Sequence, residues 1–173
     1  MGFPPAGPGS RRVEVTALWL PGRRRSPDRA LLREAAEDAV GPITRLCPHC
    51  AASGHGRPRA ADGVPLSLAY ADGVVLVARS PLPVGVDVEA GDARLHEWTR
   101  VEAILKAHGT GLRRDPEDVG PDTAEGVVTA AVPLPEGWVG TVAVADSGAI
   151  DLEVVLRNVP AAASRTTTDA ADR

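Results

Sequence analysis

The sequence predicts an α+β protein in which one order of elements occurs twice. Alternating polar and apolar residues at 12–20 indicate a half-buried strand, and a helical pattern at 26–40 and a hairpin at 64–78 follow it. The order then recurs, because a Val-rich strand at 84–88 precedes a helical pattern at 97–108 and further strands. The patterns therefore give the same order of elements, a strand, a helix and more strands, in two similar halves.

The length of 173 residues allows one ordinary domain or two small fused halves. Pro/Gly-rich residues at the start and Ala/Ser/Thr/Asp residues at the end show no hydrophobic periodicity, which is typical of flexible tails. The predicted division is a tail, an N-terminal half, a C-terminal half and a second tail, at 1–10, 11–82, 83–157 and 158–173. Fused halves favour a monomer.

Local signals define the elements of the first half. Ser26 and Pro27 suit the N-cap and the first position of the helix, and Gly41-Pro42 ends it. The hairpin has two apolar strands joined by a turn at 71–73, where Asp72-Gly73 is a common turn sequence.

The second half ends in more strands. Gly109 is the expected C-cap of the helix at 97–108, since glycine readily adopts the left-handed conformation there. Strands predicted at 127–132, 138–145 and 150–156 are joined by turns rich in Gly, Pro and Asp, and this spacing predicts a meander.

Charge and hydropathy exclude some classes of function. The net charge of −4 argues against a general nucleic-acid-binding protein, which is usually clearly basic. No apolar run approaches about 18 residues, so we expect no membrane span. We see no secretory signal at the start of the sequence and therefore expect a cytoplasmic protein.

Four polar residues of the second half carry a chemical signal. Asp87 and Glu89 are two apart in a predicted strand and therefore share a face, while Glu102 and Lys106 are four apart on a predicted helix. Three carboxylates and an amine at one place suit a divalent cation and a phosphoryl group. Lys106 is also the single lysine of the chain. There are two alternatives to a functional site. Glu102 and Lys106 could form an ordinary ion pair on the helix surface, and Lys106 could be a single lysine retained by chance in a sequence that otherwise uses arginine.

A Cys-x-x-Cys motif, Cys47 to Cys50, lies in the first half with His49 and His55 nearby. A structural zinc site needs four ligands, and the sequence has no second motif of this kind. A redox pair is a second interpretation, although the expected strand and helix around it are missing. Reduced structural cysteines are the third.

Two stretches resemble a known family. Gly-Val-Asp-Val-Glu at 85–89, followed by Trp-Thr-x-x-Glu-Ala-x-x-Lys-Ala-x-Gly-x-Gly-Leu at 98–112, resembles the signature of the Sfp-type 4′-phosphopantetheinyl transferases. The Cys-x-x-Cys motif with His-Gly-Arg-Pro at 55–58 is similar to bacterial members. The resemblance implies a pseudo-two-fold fold and transfer of the phosphopantetheine arm of coenzyme A to a serine of an apo acyl or peptidyl carrier protein. It also implies Mg²⁺ as cofactor and 3′,5′-ADP as the second product.

Carried over residue by residue, the resemblance implies metal ligands, catalytic residues and coenzyme-binding residues. The implied metal ligands are Asp87, Glu89 and Glu102. Glu102 is also implied as the general base, and Lys106 as the cation beside the diphosphate or the leaving ADP. Coenzyme-binding residues are implied at Arg57, His55 and Tyr70.

The sequence departs from the family at three places. Ala69-Tyr70 stands where the family has Ser-His, and Val101 where it usually has Lys before the glutamate. The connection between Glu89 and Trp98 is only eight residues long, and the carrier-docking helix that longer members have there is missing. These departures leave two alternatives to the transferase: a non-catalytic homologue that binds coenzyme A or a partner protein, and a small structural module with zinc at Cys47 and Cys50.

Overall fold

The computed structural model describes residues 10–19, 29–47, 50–53, 55–109, 126–145 and 151–160. Within these ranges the chain is α+β, with two α-helices and nine strands in three sheets. The helices are α1 (Arg29–Val40) and α2 (His96–His108), and a 3₁₀ helix, Ala93–Leu95, leads directly into α2. The strands are β1 (Ser10–Trp19), β2 (Ile43–Leu46), β3 (Arg57–Ala60), β4 (Leu66–Ala71), β5 (Val74–Arg79), β6 (Val84–Ala90), β7 (Val127–Ala131), β8 (Trp138–Ala145) and β9 (Asp151–Pro160).

The strands form one sheet of four, one of three and one of two. The order in the large sheet is β4-β5-β1-β9, and in the three-stranded sheet it is β6-β8-β7. Strands β2 and β3 form a separate antiparallel pair. All pairs in the large sheet are antiparallel except that of β1 with β9, which is parallel.

The core explains how these layers stack. Val13, Val15 and Leu76 of the large sheet share one buried cluster with Val86 and Val142 of the three-stranded sheet. On its other face the large sheet packs against α1, and the three-stranded sheet packs against α2 on the face away from the core cluster. The layers therefore run α1, large sheet, three-stranded sheet, α2. Alternation of side chains along each strand produces these two apolar faces.

The strand and helix predictions are mostly confirmed. The hairpin of β4 and β5, the strand β6 and the helix α2 lie where the patterns indicate, and Gly109 caps α2 with φ 75°. Helix α1 is confirmed from Arg29 onward, while its predicted cap at Ser26 and Pro27 lies outside the described residues.

The predicted meander is wrong in its last strand. Strand β9 does not continue from β8 but pairs in parallel with β1, with Ser10 opposite Asp151 and Trp19 opposite Pro160. It also reaches residues 158–160, and β1 begins at Ser10, positions that we assigned to the tails. The short pair β2 and β3 was not predicted. Sequence periodicity identifies a strand but not its neighbour, so a crossover of this kind leaves no local signal.

No helix in the described part of the chain is long and apolar enough to cross a membrane.

Candidate metal and phosphate site on β6 and α2

Gly85 brings α2 unusually close to β6. A Cβ atom at this position would lie 1.9 Å from the carbonyl oxygen of Ala103 and 2.5 Å from the amide nitrogen of Ala107. Only glycine allows two backbones to approach so closely. Because side chains two apart share a strand face, Gly85, Asp87 and Glu89 all face the helix, whereas Val86 between them faces the core.

Asp87 and Lys106 form an ion pair between the strand and the helix. The Lys106 Nζ atom donates to Asp87 Oδ1 at 2.6 Å and to the Val86 carbonyl oxygen at 3.1 Å. The Asp87 side chain is 8% exposed and that of Lys106 is 28% exposed. A charge-assisted bond of this length is among the stronger kinds of hydrogen bond. The amine of Lys106 is therefore held by β6. An ordinary surface ion pair with Glu102, the alternative interpretation of the sequence, would not include these bonds to the strand.

The second oxygen of Asp87 lacks such a partner. Its Oδ2 atom is buried and accepts no hydrogen bond of normal geometry from the described residues, although the nearby Val88 amide lowers the pKa of the carboxyl. Burial is the larger influence and raises the pKa of Asp87, while Lys106 opposes it. A buried oxygen without a partner is costly, and a bound cation would supply one.

Glu89 and Glu102 are half-buried near this pair. Burial raises the pKa of both groups. The charge of Asp87 raises both values further, and Glu89 also raises that of Glu102. Lys106 lowers both. These mutual effects mean that the three carboxylates and the amine act on one another across one small region, which we call the acidic site.

Hydrogen bonds secure the first turn of α2 against the sheet. The hydroxyl groups of Thr99 and Thr141 lie 2.8 Å apart in a buried pair, and Thr99 also donates to the His96 carbonyl oxygen. Thr141 is paired with Asp87 across β8 and β6, so this contact is next to the acidic site. The exposed indole of Trp98 lies close enough to Glu89 to lower the pKa of that carboxyl by hydrogen bonding. The helix is thus fixed at the end where Glu89 lies.

The connection before α2 is short and tightly folded. The Gly91 amide donates to the Gly137 carbonyl oxygen at 2.9 Å. The Asp92 side chain accepts from the Arg94 amide and so caps the 3₁₀ helix. The eight residues between Glu89 and Trp98 therefore lead directly into the helix.

Arg57 lies at the other end of α2. Its Nη2 atom donates to the Ala107 carbonyl oxygen at 3.4 Å, and a Cβ atom at Gly109 would come within 2.7 Å of Nη1. Burial, and after it Arg59, lower the pKa of Arg57. An arginine at a helix C-terminus satisfies a free carbonyl group and suits the negative end of the helix dipole. The Arg57 guanidinium group, from the first half of the chain, therefore lies beside Ala107, the residue that follows Lys106.

Two predicted coenzyme-binding residues lie elsewhere. Tyr70 is half-buried and packs with Leu68 and Val75 in the cluster below α1, on the opposite face of the large sheet from the three-stranded sheet. His55 lies in the loop between β2 and β3, where its Nε2 atom is 3.3 Å from the Cys50 Sγ atom. The structure therefore brings together four of the predicted site residues, Asp87, Glu89, Glu102 and Lys106, and places Arg57 at the C-terminal end of α2. Tyr70 and His55 are not part of this region.

The carboxylates stand apart from one another. Among the described residues, Cys47, Cys50 and His55 are the one group of three potential ligands whose atoms all lie within 4.8 Å of one another. The three carboxylates are therefore more widely spaced than this. Mg²⁺ usually retains several waters and binds one or two carboxylates together with substrate phosphates, so a wide spacing suits it better than a closed cage. The buried Oδ2 atom of Asp87 and an all-oxygen donor set fit that ion.

Sequence reasoning missed several residues of this region. Asp72, in the turn between β4 and β5, raises the pKa of Glu89 and thus adds a fourth carboxylate nearby. Ser67 accepts a hydrogen bond from the Val86 amide at 3.1 Å and joins β4 to β6. The Thr99 and Thr141 pair joins positions 42 residues apart. No local pattern could reveal these contacts, since each depends on how distant strands pack.

Comparison of the sequence with models of known protein families and with curated proteins yields no match.

Proposed function

We propose that this protein is an Mg²⁺-dependent 4′-phosphopantetheinyl transferase of the Sfp type. It transfers the phosphopantetheine arm of coenzyme A to a serine of an apo acyl or peptidyl carrier protein. The observation that carries the proposal is the acidic site, in which the residues of the two signature stretches meet around a buried Asp87 oxygen without a partner.

The fold supports the proposal that the two halves of the chain are similar. Each half of the chain contributes a helix packed on a sheet, α1 on the large sheet and α2 on the three-stranded sheet. The hydrogen bond from Val86 to Ser67 joins strands of the two halves. We propose that the halves are related by the pseudo-two-fold symmetry that the resemblance implies.

The reaction is an attack by an alcohol on a diphosphate. The oxygen of the carrier serine forms a bond to the phosphorus of the phosphopantetheine group, and the bond from that phosphorus to the bridging oxygen breaks. The electron pair leaves with 3′,5′-ADP, and the serine proton passes to Glu102. Catalysis of this kind depends mainly on positioning and on neutralising charge.

The chain's own residues have distinct parts in this step. Asp87, Glu89 and Glu102 would hold Mg²⁺, which when bound neutralises charge on the diphosphate. The raised pKa of Glu102 suits a general base, because a proton acceptor works best when its pKa lies near the working pH. Lys106 is held by Asp87 and the Val86 carbonyl group, and it places a fixed positive charge at the leaving group. Arg57 adds a second charge at the end of α2.

The test is transfer to purified apo carriers. Incubation with coenzyme A and Mg²⁺ should add the mass of one phosphopantetheine group to a carrier, in a panel with fatty-acid, polyketide and nonribosomal-peptide carriers. Glu102→Gln should not do this, whereas Glu34→Gln, at an exposed position of α1, should match the wild type. Failure with every carrier would count against the proposal.

A second candidate is a non-catalytic homologue that binds coenzyme A. The position of Tyr70 away from the acidic site favours it. It predicts Mg²⁺-dependent binding of coenzyme A without modification of any carrier. Calorimetry on the same protein preparation separates the two candidates.

A further inference from the structure

The loop between β2 and β3 gathers two thiol groups and an imidazole. Cys47 is buried at the end of β2, while Cys50 and His55 are exposed. One ligand atom from each of the three lies within 4.8 Å of the other two, and the Cys50 Sγ atom is 3.3 Å from the His55 Nε2 atom. We call these three residues the Cys–His group.

The distance between the Cys50 Sγ atom and the His55 Nε2 atom is close to one edge of a metal tetrahedron. Zn–S bonds of about 2.3 Å and Zn–N bonds of about 2.0–2.1 Å place two sulfur atoms about 3.8 Å apart and a sulfur and a nitrogen atom about 3.6 Å apart. The observed separation of 3.3 Å between Cys50 and His55 is within about 0.3 Å of that value. Small side-chain rotations are therefore enough to admit an ion.

The backbone holds the ligands in this arrangement. The Ala51 amide donates to the Cys47 carbonyl oxygen at 2.9 Å, and the Cys47 amide donates to the Ala52 carbonyl oxygen at 3.0 Å. Ala51 has φ 55°, a left-handed conformation that a residue with a Cβ atom seldom adopts. The strand pair closes the loop below, with Leu46 opposite Arg57. The thiols thus share a tight turn, and His55 returns toward them two residues before β3.

We propose that Cys47, Cys50 and His55 bind one Zn²⁺ ion. Two thiolates and an imidazole are the donor set that favours zinc over Mg²⁺ or Ca²⁺. The two thiols release their protons on binding, so the two thiolates balance the charge of the ion. A water molecule completes the tetrahedron.

The zinc ion gives this loop a part in positioning Arg57. Arg57 follows His55 by two residues and reaches across to the Ala107 carbonyl oxygen. A bound zinc ion would fix the start of β3. Because Arg57 is the first residue of that strand, the ion would also fix how its guanidinium group contacts α2. Binding of zinc itself does not depend on the proposed transferase reaction.

The test is the metal content of the full chain, purified under reducing conditions with zinc in the growth medium. We expect about one zinc per chain in the wild type and its loss in Cys47→Ser, Cys50→Ser and His55→Ala. His96→Ala, which removes an exposed histidine from α2, is the matched control and should retain the ion. Co²⁺ in place of zinc should give the thiolate-to-metal absorption of a tetrahedral site.

Several results would overturn the proposal. They are zinc far below one per chain together with no Co²⁺ absorption, equal zinc content in wild type and His55→Ala, and a disulfide between Cys47 and Cys50 in metal-free protein. A variant that fails to fold is replaced by titration of Zn²⁺ into the reduced, metal-free wild-type chain. A saturable one-to-one transition is expected there, and its absence would refute the site.

Discussion

The acidic site and the Cys–His group are both sets of potential metal ligands, but they are assembled in opposite ways. The three carboxylates come from a strand and a helix that are fixed rigidly by Gly85 and the Thr99–Thr141 pair, yet their oxygens stand apart. The Cys–His group comes from one loop, and its ligand atoms are already close. We propose that the first arrangement serves a metal ion together with water and a substrate phosphate, and that the second binds zinc.

Their electrostatic states also differ. Burial raises the pKa of all three carboxyls. The charge of Asp87 further raises the pKa of Glu89 and Glu102, and Glu89 raises that of Glu102, while Lys106 opposes these effects. Thiols are neutral when protonated, and the Cys–His group needs no counter-charge until a metal binds. The comparison teaches that spacing of ligand atoms alone does not identify a catalytic metal site. An exchangeable metal that works with substrate suits an open, charged cluster.

The largest expected effect is on transfer. Glu102→Gln keeps the size of the side chain but removes the proposed metal ligand and proposed proton acceptor, so we expect the rate of transfer to fall by about 10²–10⁴-fold. Cys47→Ser should lose zinc and reduce the rate far less. Single-turnover mass spectrometry of the carrier measures both rates. If both variants lost the same fraction of the transfer rate, the proposal that only the acidic site is catalytic would be contradicted.

The close contact of α2 with β6 should dominate stability. Gly85→Ala places a methyl group against backbone atoms of the helix, which side-chain rotation cannot relieve, and we expect a loss of about 3 kcal/mol in the free energy of unfolding. Gly63→Ala is the control, because that position has positive φ but open space around it, and it should lose only about 1 kcal/mol. Urea unfolding measures both. A Gly85 variant no weaker than the control would mean that the helix is held less closely.

The Asp87–Lys106 pair should have a smaller effect on stability. Lys106→Met leaves the nearly buried Asp87 carboxylate without its cation, at a cost of about 2 kcal/mol near pH 7, less than for a fully buried pair because Lys106 is 28% exposed. Adding Asp87→Asn should restore most of this loss, but the double variant should not bind Mg²⁺, because a proposed metal ligand is removed. A double variant as unstable as the single one would contradict the pairing.

The smallest effect concerns pH. The raised pKa values mean that the native protein holds more protons than the unfolded chain from the ordinary carboxyl values, about 4, up to the raised ones. The free energy of unfolding should therefore fall as pH rises through that window when no metal is present. Glu89→Gln should reduce the fall by about 0.5–1 kcal/mol, a modest change because solvent screens this half-buried group. Thermal unfolding at a series of pH values, with and without Mg²⁺, checks this, and a rise in stability across the window would contradict it.

The sequence predicted local structure well because the signals were local. The Val-rich run located β6, and the helical pattern ending at Gly109 located α2. The positions of the four polar residues on these elements could therefore be expected. The close packing of α2 on β6 depends on Gly85, because a side chain there would clash with the helix backbone. The sequence alone does not show that the helix lies against this glycine.

What depended on distant contacts could not be predicted. The pairing of β9 with β1 joins the two ends of the described chain, and no period or turn encodes it. Asp72 reaches the acidic site through the packing of sheets, and Tyr70 faces α1 because of a strand register that the sequence does not state. The Cys–His group was recognisable as a motif, but its closeness follows from the β2–β3 pair, which was not predicted.

The most direct measurement is calorimetric titration of coenzyme A into the protein in the presence and absence of Mg²⁺. The wild type and Glu97→Gln, an exposed position on α2, should bind coenzyme A much more tightly with Mg²⁺, and Asp87→Asn should lose that enhancement. Binding by Asp87→Asn that equals the wild type and responds equally to Mg²⁺ would contradict the assignment of the acidic site to the metal and the diphosphate.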